Sequence, residues 1–435
     1  MLLMLLLGVG ALAVFVSGLN RATSQLERDR ITNVALAQAK EALIGYAASV
    51  DLSSSGARPG DLPCPDTNND GVAETLCGNA SGSTGQSLRL GRLPWKTLNL
   101  PDLRDGYGER LWYAVSNNFK KNTRTSCTSS GQPGCLNSDS VGTISLMRHS
   151  GVTIFNATGT SGAVAVVISP GAALTRLDGV QQVRNATNAN NPAHYLDCYG
   201  SACGIEDNAN FVDGQLNGFI QGDIRDANGS VVVNDRLLAL TRDDVLSVLE
   251  KRVASETLIC LREYAAKPQN KGRYPWAAAL EPALNFMDDT NALFGRIPDE
   301  STGFVNTKND SGNVMDDSWT GDCNINSLSG WWLNWKEHVF YALADGCKPV
   351  NPLPVTAGCT PPLLVVNPPS LLNDKEVVIF VAGRRLAAVN GGQPRSTSSD
   401  KSTIANYLED QNSDGASPFQ QGVGNASTFN DKVVY

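Results

Sequence analysis

The chain opens on sixteen uncharged residues, Met1 to Val16, which run without a break into an alanine-rich polar stretch that still reads as helix to about Ala48. At 1.5 Å per residue such a helix is about 70 Å long. Residues 1–19 approach the ~20 that cross a bilayer, so they are expected to form a transmembrane or filament-core helix. Beyond them, Leu26, Ile31, Val34, Leu36, Leu43 and Ile44 recur at roughly helical spacing, supported by Ala35, Ala37, Ala39 and Ala42. A cleaved signal peptide is the rival reading, but no basic residue precedes the apolar run. Either the start lies within a longer reading frame or the anchor has an unusual form. Arg21, Arg28 and Arg30 argue mildly against an exported body, although Glu27 and Asp29 lie among them.

With 435 residues, two or more domains are expected. A net charge of −8 and the absence of a basic patch argue against nucleic acid as a partner. Ten cysteines fall into four close pairs in Gly-, Ser-, Asn- or Pro-rich loops: Cys64/Cys77, Cys127/Cys135, Cys198/Cys203 and Cys347/Cys359. Cys260 and Cys323 remain for a longer bridge. Zinc is the competing reading. However, there is no CxxC pair, and His149, His194 and His338 are not at ligand spacing from any cysteine. Disulfides imply an oxidising compartment, a bacterial periplasm or the cell exterior.

Seven short matches recur in the same order along the two halves. Tyr46-Ala-Ala48 answers Tyr264-Ala-Ala266, and Gly60-Asp-Leu-Pro63 answers Gly272-Arg-Tyr-Pro275. Gly91-Arg-Leu-Pro94 answers Gly295-Arg-Ile-Pro298, and the aromatic strand 111–115 answers 339–343. Ala163–Ser169 followed by Gly171 answers Glu376–Ala382 followed by Gly383. Tyr195-Leu-Asp197 and Asn234-Asp-Arg236 answer Tyr407-Leu-Glu409 and Asn430-Asp-Lys432. Ordered self-similarity of this kind signals tandem copies of one fold. The expected architecture is α+β: residues 1–19 as the membrane-spanning helix, 20–242 as a head in which a helix packs on an antiparallel sheet, and 243–435 as its second copy, opening on an amphipathic helix over 243–263.

The apolar N-terminal helix, the stretch Ala35-Leu-Ala-Gln-Ala-Lys-Glu-Ala-Leu-Ile-Gly-Tyr-Ala-Ala48, the turn Leu62-Pro-Cys-Pro-Asp66 and Gly91-Arg-Leu-Pro-Trp95 together resemble bacterial type IV pilin-like proteins and type II secretion pseudopilins, the large prepilin-type proteins above all. The resemblance covers residues 1–115 best. It implies an inner-membrane, single-pass protein whose N-terminal helices bundle into a filament core with other pilin or pseudopilin subunits. The family's basic leader and Gly-Phe cleavage site are missing here, as is its early acid; the first acid is Glu27. A minor or tip subunit fits this pattern better than a major one.

The best chemical motif is Asp66, Asn68, Asp70, Val72 and Glu74. Oxygen ligands at alternate positions with Gly71 sixth let a short loop wrap calcium. The twelfth position, usually a bidentate Glu, is Cys77, so this is not a full EF-hand loop, and a solvated turn is the plainer reading. Asp410-Gln-Asn412-Ser-Asp414-Gly415 and the acidic loop 309–317 read as turns. Trp319, Trp331, Trp332 and Trp335 offer either an aromatic platform for a sugar or partner surface, or core packing. Ser398-Ser-Asp-Lys401 matches Ser-x-x-Lys only formally, inside a polar loop. No hydrolase, zinc-protease or phosphate-loop motif occurs, so no catalytic residue is nominated. The sequence therefore points to a non-enzymatic structural subunit, with an adhesin or binding module as the first alternative and a periplasmic hydrolase with structural calcium as the second.

Overall fold

The computed structural model describes the chain apart from residues 1, 53–55, 80–85, 122–126, 128–133, 149–151, 205, 213, 216–217, 282–285, 299–302, 320–322, 324, 326–330, 368–372 and 423–426; side chains of residues 2–21 and 86 also lie outside the description. The chain separates into two compact units. Unit 1 holds residues 1–46, 62–120 and 142–241, and unit 2 holds 47–61, 121–141 and 242–435. Two segments of the expected first head, 47–61 and 121–141, thus belong to unit 2.

Helix α1 runs over Leu2–Ser49. Within unit 1 its buried stripe is Thr32, Ala35, Leu36, Ala39 and Leu43, the i, i+3, i+4, i+7 spacing of one helical face. The small alanines let the helix lie close to its head. Thr32 Oγ1 accepts the Gly106 amide at 3.0 Å, and a Cβ on Gly106 would collide with the Arg28 backbone. Asp29 pairs with Arg236 at 2.9 Å. Residues 22–31, by contrast, are mostly exposed.

The strands of unit 1 are β1 (Leu90–Arg92), β2 (Trp112–Val115), β3 (Leu146–Arg148), β4 (Thr153–Phe155), β5 (Ala165–Ser169), β6 (Cys198–Tyr199), β7 (Glu206–Asp207), β8 (Phe219–Gln221), β9 (Ile224–Arg225), β10 (Val231–Val233) and β11 (Arg236–Leu240). A four-stranded antiparallel sheet of order β1-β2-β5-β11 forms the centre. β2 and β5 are buried along their whole length, which explains their continuous apolar runs: both faces are covered. Trp112, Ala114, Val166 and Ile168 meet Leu146, Tyr195, Phe211 and Phe219 on one face. Tyr113 faces Tyr46 of α1 on the other.

Unit 2 contains α2 (Arg242–Ala266), β12 (Phe294–Arg296), α3 (Val305–Asp310), α4 (Trp332–Trp335), β13 (Val339–Leu343), β14 (Leu364–Asn367), β15 (Asn373–Lys375), β16 (Val377–Val381), α5 (Ser398–Ser402), β17 (Phe419–Gln420) and β18 (Lys432–Val434). Its main sheet has the order β12-β13-β16-β18. The register repeats too. Gly91 opposes Tyr113 as Gly295 opposes Tyr341, and Trp112 opposes Ile168 as Phe340 opposes Phe380. In both units the glycine is obligatory, because a Cβ there would strike the carbonyl of Asp66 or of Ala278.

Two corrections follow. The heads are mixed α/β assemblies of several small sheets rather than one antiparallel sheet under a helix: a three-stranded sheet accompanies each main sheet, and each contains a parallel pair, β3–β8 and β14–β17. These strands are only two to four residues long and carry too little periodicity to be read in advance. The expected membrane-spanning helix is also withdrawn, because among the described residues no helix is long and apolar enough to cross a membrane. From Ala22 onward α1 carries Glu27, Arg28, Asp29, Arg30, Lys40 and Glu41, whose charges would be costly in hydrocarbon.

Candidate functional site

The loop after Cys64 is wired by its own side chains. Asp66 is buried. Its Oδ1 accepts the amides of Asn69 (2.5 Å) and Asp70 (3.2 Å), and its Oδ2 accepts that of Gly71 (2.7 Å). Asn68 Oδ1 accepts the Asp70 amide and Asp70 Oδ1 that of Val72. Glu74 turns back to the Thr67 hydroxyl at 2.7 Å, and the Lys96 ammonium donates to the Asp70 carbonyl. Asn69 and Gly71 take positive φ (66° and 87°), so the Asn-Asp-Gly spelling is what the turn demands. The carboxylates of Asp66, Asp70 and Glu74 do not gather around one point; they serve successive loop amides, and the Val72 side chain is exposed. Burial raises the Asp66 carboxyl above its ordinary range, against the pull of the three amides.

The four tryptophans lie inside unit 2. Trp319, Trp331, Trp332 and Trp335 are at most 4% exposed; Trp331 and Trp332 meet edge to face at 5.7 Å, and Trp319 packs on Tyr264 and Phe304. Buried to this degree, none offers a face to a ligand. The platform reading is therefore withdrawn. Asn334, between them, accepts the Leu136 amide at 2.9 Å and an Arg58 Nη1–H at 3.3 Å, which ties both inserted segments into unit 2.

All ten cysteines are paired, Cys64–Cys77, Cys127–Cys135, Cys198–Cys203, Cys260–Cys323 and Cys347–Cys359, which places the protein in an oxidising compartment. Among the described residues the one cluster with metal-ligand types is Asp178, Cys198 and Cys203. Its sulfurs form a disulfide and Asp178 is neutralised by Arg176 at 3.1 Å, so its donor set does not suit a metal.

The most elaborate polar structure is one that motif reading did not single out, and it occurs twice. In unit 1 Gln182 Nε2 donates to Asp197 Oδ1 (2.9 Å) and the Asn234 amide to Asp197 Oδ2 (2.7 Å). The Asp197 amide and Asn208 Nδ2 both donate to Asp235 Oδ2 (2.7 and 2.8 Å), while Asn208 is clamped to both backbone groups of Ile220. In unit 2 Gln393 donates to Glu409 Oε1 (2.7 Å) and the Asn430 amide to Glu409 Oε2 (2.9 Å). The Glu409 amide and Asn412 Nδ2 both donate to Asp431 Oδ2 (3.0 Å each), and Asn412 clamps Gln420.

The arginines correspond as well: Arg184 donates to the carbonyls of Gly171 and His194, and Arg395 to those of Gly383 and Asn406. All four acids are at most 3% exposed. Burial pushes the Asp197 carboxyl up to about 6, and burial together with the neighbouring acid raises Asp235 and Asp431 well above the carboxylate range. The paired spellings 195–197/407–409 and 234–236/430–432 marked the repeat that carries its acids, not the circuit; Gln182, Asn208 and Gln393 gave no sign, and Asn412 stood only in a turn motif. With their carboxyls sealed from solvent, the acids cannot reach a substrate. His338, 3.3 Å from Asp139, is equally buried.

No family model matches the chain, and no curated protein or solved structure does.

Proposed function

We propose that the chain is a pilin-like or pseudopilin-like structural subunit, working in a bacterial periplasm or at the cell surface, that joins partner subunits through α1 and presents two disulfide-fastened heads. The observation that carries this reading is the division of labour along α1. Among the described side chains the buried ones of α1 start at Thr32, residues 22–31 are mostly exposed with Leu26 at 69%, and the sequence before them is uncharged up to Val16. Burial of such an uncharged helical stretch against like helices is favourable by roughly 25 cal/mol per Å² of apolar area. Gly8 and Gly10 suit close helix approach.

Velocity sedimentation of the full oxidised chain tests the reading. The protein should sediment as large assemblies, and Leu6→Asp, which puts a charge into the uncharged stretch, should release folded monomers. A wild-type chain that stays monomeric at micromolar concentration, with its helix intact, overturns the proposal.

A further inference from the structure

We infer that each copy of the buried polar circuit binds one proton at neutral pH, on Asp235 in unit 1 and on Asp431 in unit 2. Asp197 has one donor on each oxygen and so does Glu409. Asp235 and Asp431 each receive two donors on Oδ2, and no donor among the described residues reaches Oδ1 in either case. The same oxygen is bare in both copies, at 0% and 3% residue exposure.

A buried carboxylate oxygen without a donor is expensive, whereas a protonated one becomes a donor itself. In unit 2 the Asp431 carboxyl lies within hydrogen-bonding reach of the Glu409 side chain, which can accept that proton. Two acids side by side in a low-dielectric interior favour sharing one proton over carrying two charges.

The surrounding charges do not reverse this. Facing Asp235 are Asp197 and Arg184. Arg184 hands its donors to five acceptors, four of them backbone carbonyls, and Arg236 turns to Asp29. In unit 2, Arg395 is paired with Asp139 at 3.2 Å, Lys432 turns to Glu250 and Arg384 to Asp243. The circuit's amide hydrogen bonds correspond one to one while one acid is Asp197 and its counterpart the longer Glu409. What the two copies keep constant is therefore the bare oxygen as well as the bonds.

The test is infrared spectroscopy of the full oxidised protein in heavy water near neutral pH. A protonated-carboxyl C=O stretch is expected in the wild type. Asp235→Asn and Asp431→Asn should each remove part of it while leaving the fold intact, because the amide places its oxygen where Oδ2 sits and its NH2 where the proton was. As a second reading that needs no variant to be informative, denaturant unfolding at neutral pH should release protons from the wild type, and the double Asn variant should release two fewer. Absence of the acid stretch in the wild type, an unchanged stretch in the folded double variant, or equal proton release by both proteins overturns the inference.

Discussion

Asp66 gathers three amides of one turn, and removing it leaves the Asn69 and Gly71 amides without an acceptor and the Asp70 amide with Asn68 alone. Asp66→Ala is expected to lower stability by roughly 1–3 kcal/mol, by the same amount with and without millimolar calcium, as measured by denaturant melts. A wild-type stabilisation by calcium that vanishes in the variant would make the loop a cation site instead. Glu250 on α2 tells a different story. Burial raises its carboxyl to about 7, partly opposed by Lys432, the Ser138 hydroxyl and Arg242. A raised acid binds its proton more tightly folded than unfolded. Its penalty is thus absent below the unfolded value near 4.5, grows as pH rises, and is complete above about 7. Glu250→Gln should therefore stabilise the protein by up to about 3 kcal/mol at pH 8 and hardly at all near pH 4. An equal effect at both values would show that the carboxyl titrates normally. At this scale the sequence was only partly legible. Asn69 and Gly71 announced their turn, and the paired acids announced a correspondence. Gln182, Asn208 and Gln393 were silent, and Asn412 showed only as part of a turn, because such an amide depends on partners up to 27 residues away.

α1 and α2 do the same job from different starting points. Leu43 of α1 and Leu249 and Val253 of α2 are fully buried. Leu43→Ala should cost about 2–5 kcal/mol, as a core truncation does, whereas Leu26→Ala, at 69% exposure, should leave the melting midpoint unchanged while weakening assembly. Equal midpoints for both variants would mean that α1 is not part of the head's core. The main-sheet strands were legible because burial on both faces gives unbroken apolar runs, as at 163–169 and 376–382. The accessory sheets were not. β3, β4, β8, β14, β15 and β17 owe their existence to neighbours already in place, and β15 is exposed at two of three positions.

For the molecule as a whole, five covalent loops brace the units from within, two in unit 1 and three in unit 2. Closing a longer loop constrains the unfolded chain more, so Cys260–Cys323, 63 residues apart, should contribute roughly 4 kcal/mol and Cys198–Cys203, five apart, about half that. Paired Cys→Ser variants, melted under oxidising conditions, check the ranking; a larger loss from the short loop would overturn it. The disulfide pairs are those that the local spacing suggested, with Cys260 and Cys323 left over for each other. The transfer of 47–61 and 121–141 into unit 2 was not, since it rests on contacts such as those of Asn334 that no local pattern encodes. One further feature bears on how copies of this chain can associate. The outer strands of both main sheets are covered: β1 bonds both ways with Asp66 and β12 with Ala278, while the Gln221 and Gln421 side chains reach main-chain groups of Leu237 and Val433. Blunted rims of this sort remove the main sheets as templates for lateral β stacking of the folded protein, which shifts ordered association toward its helical surfaces.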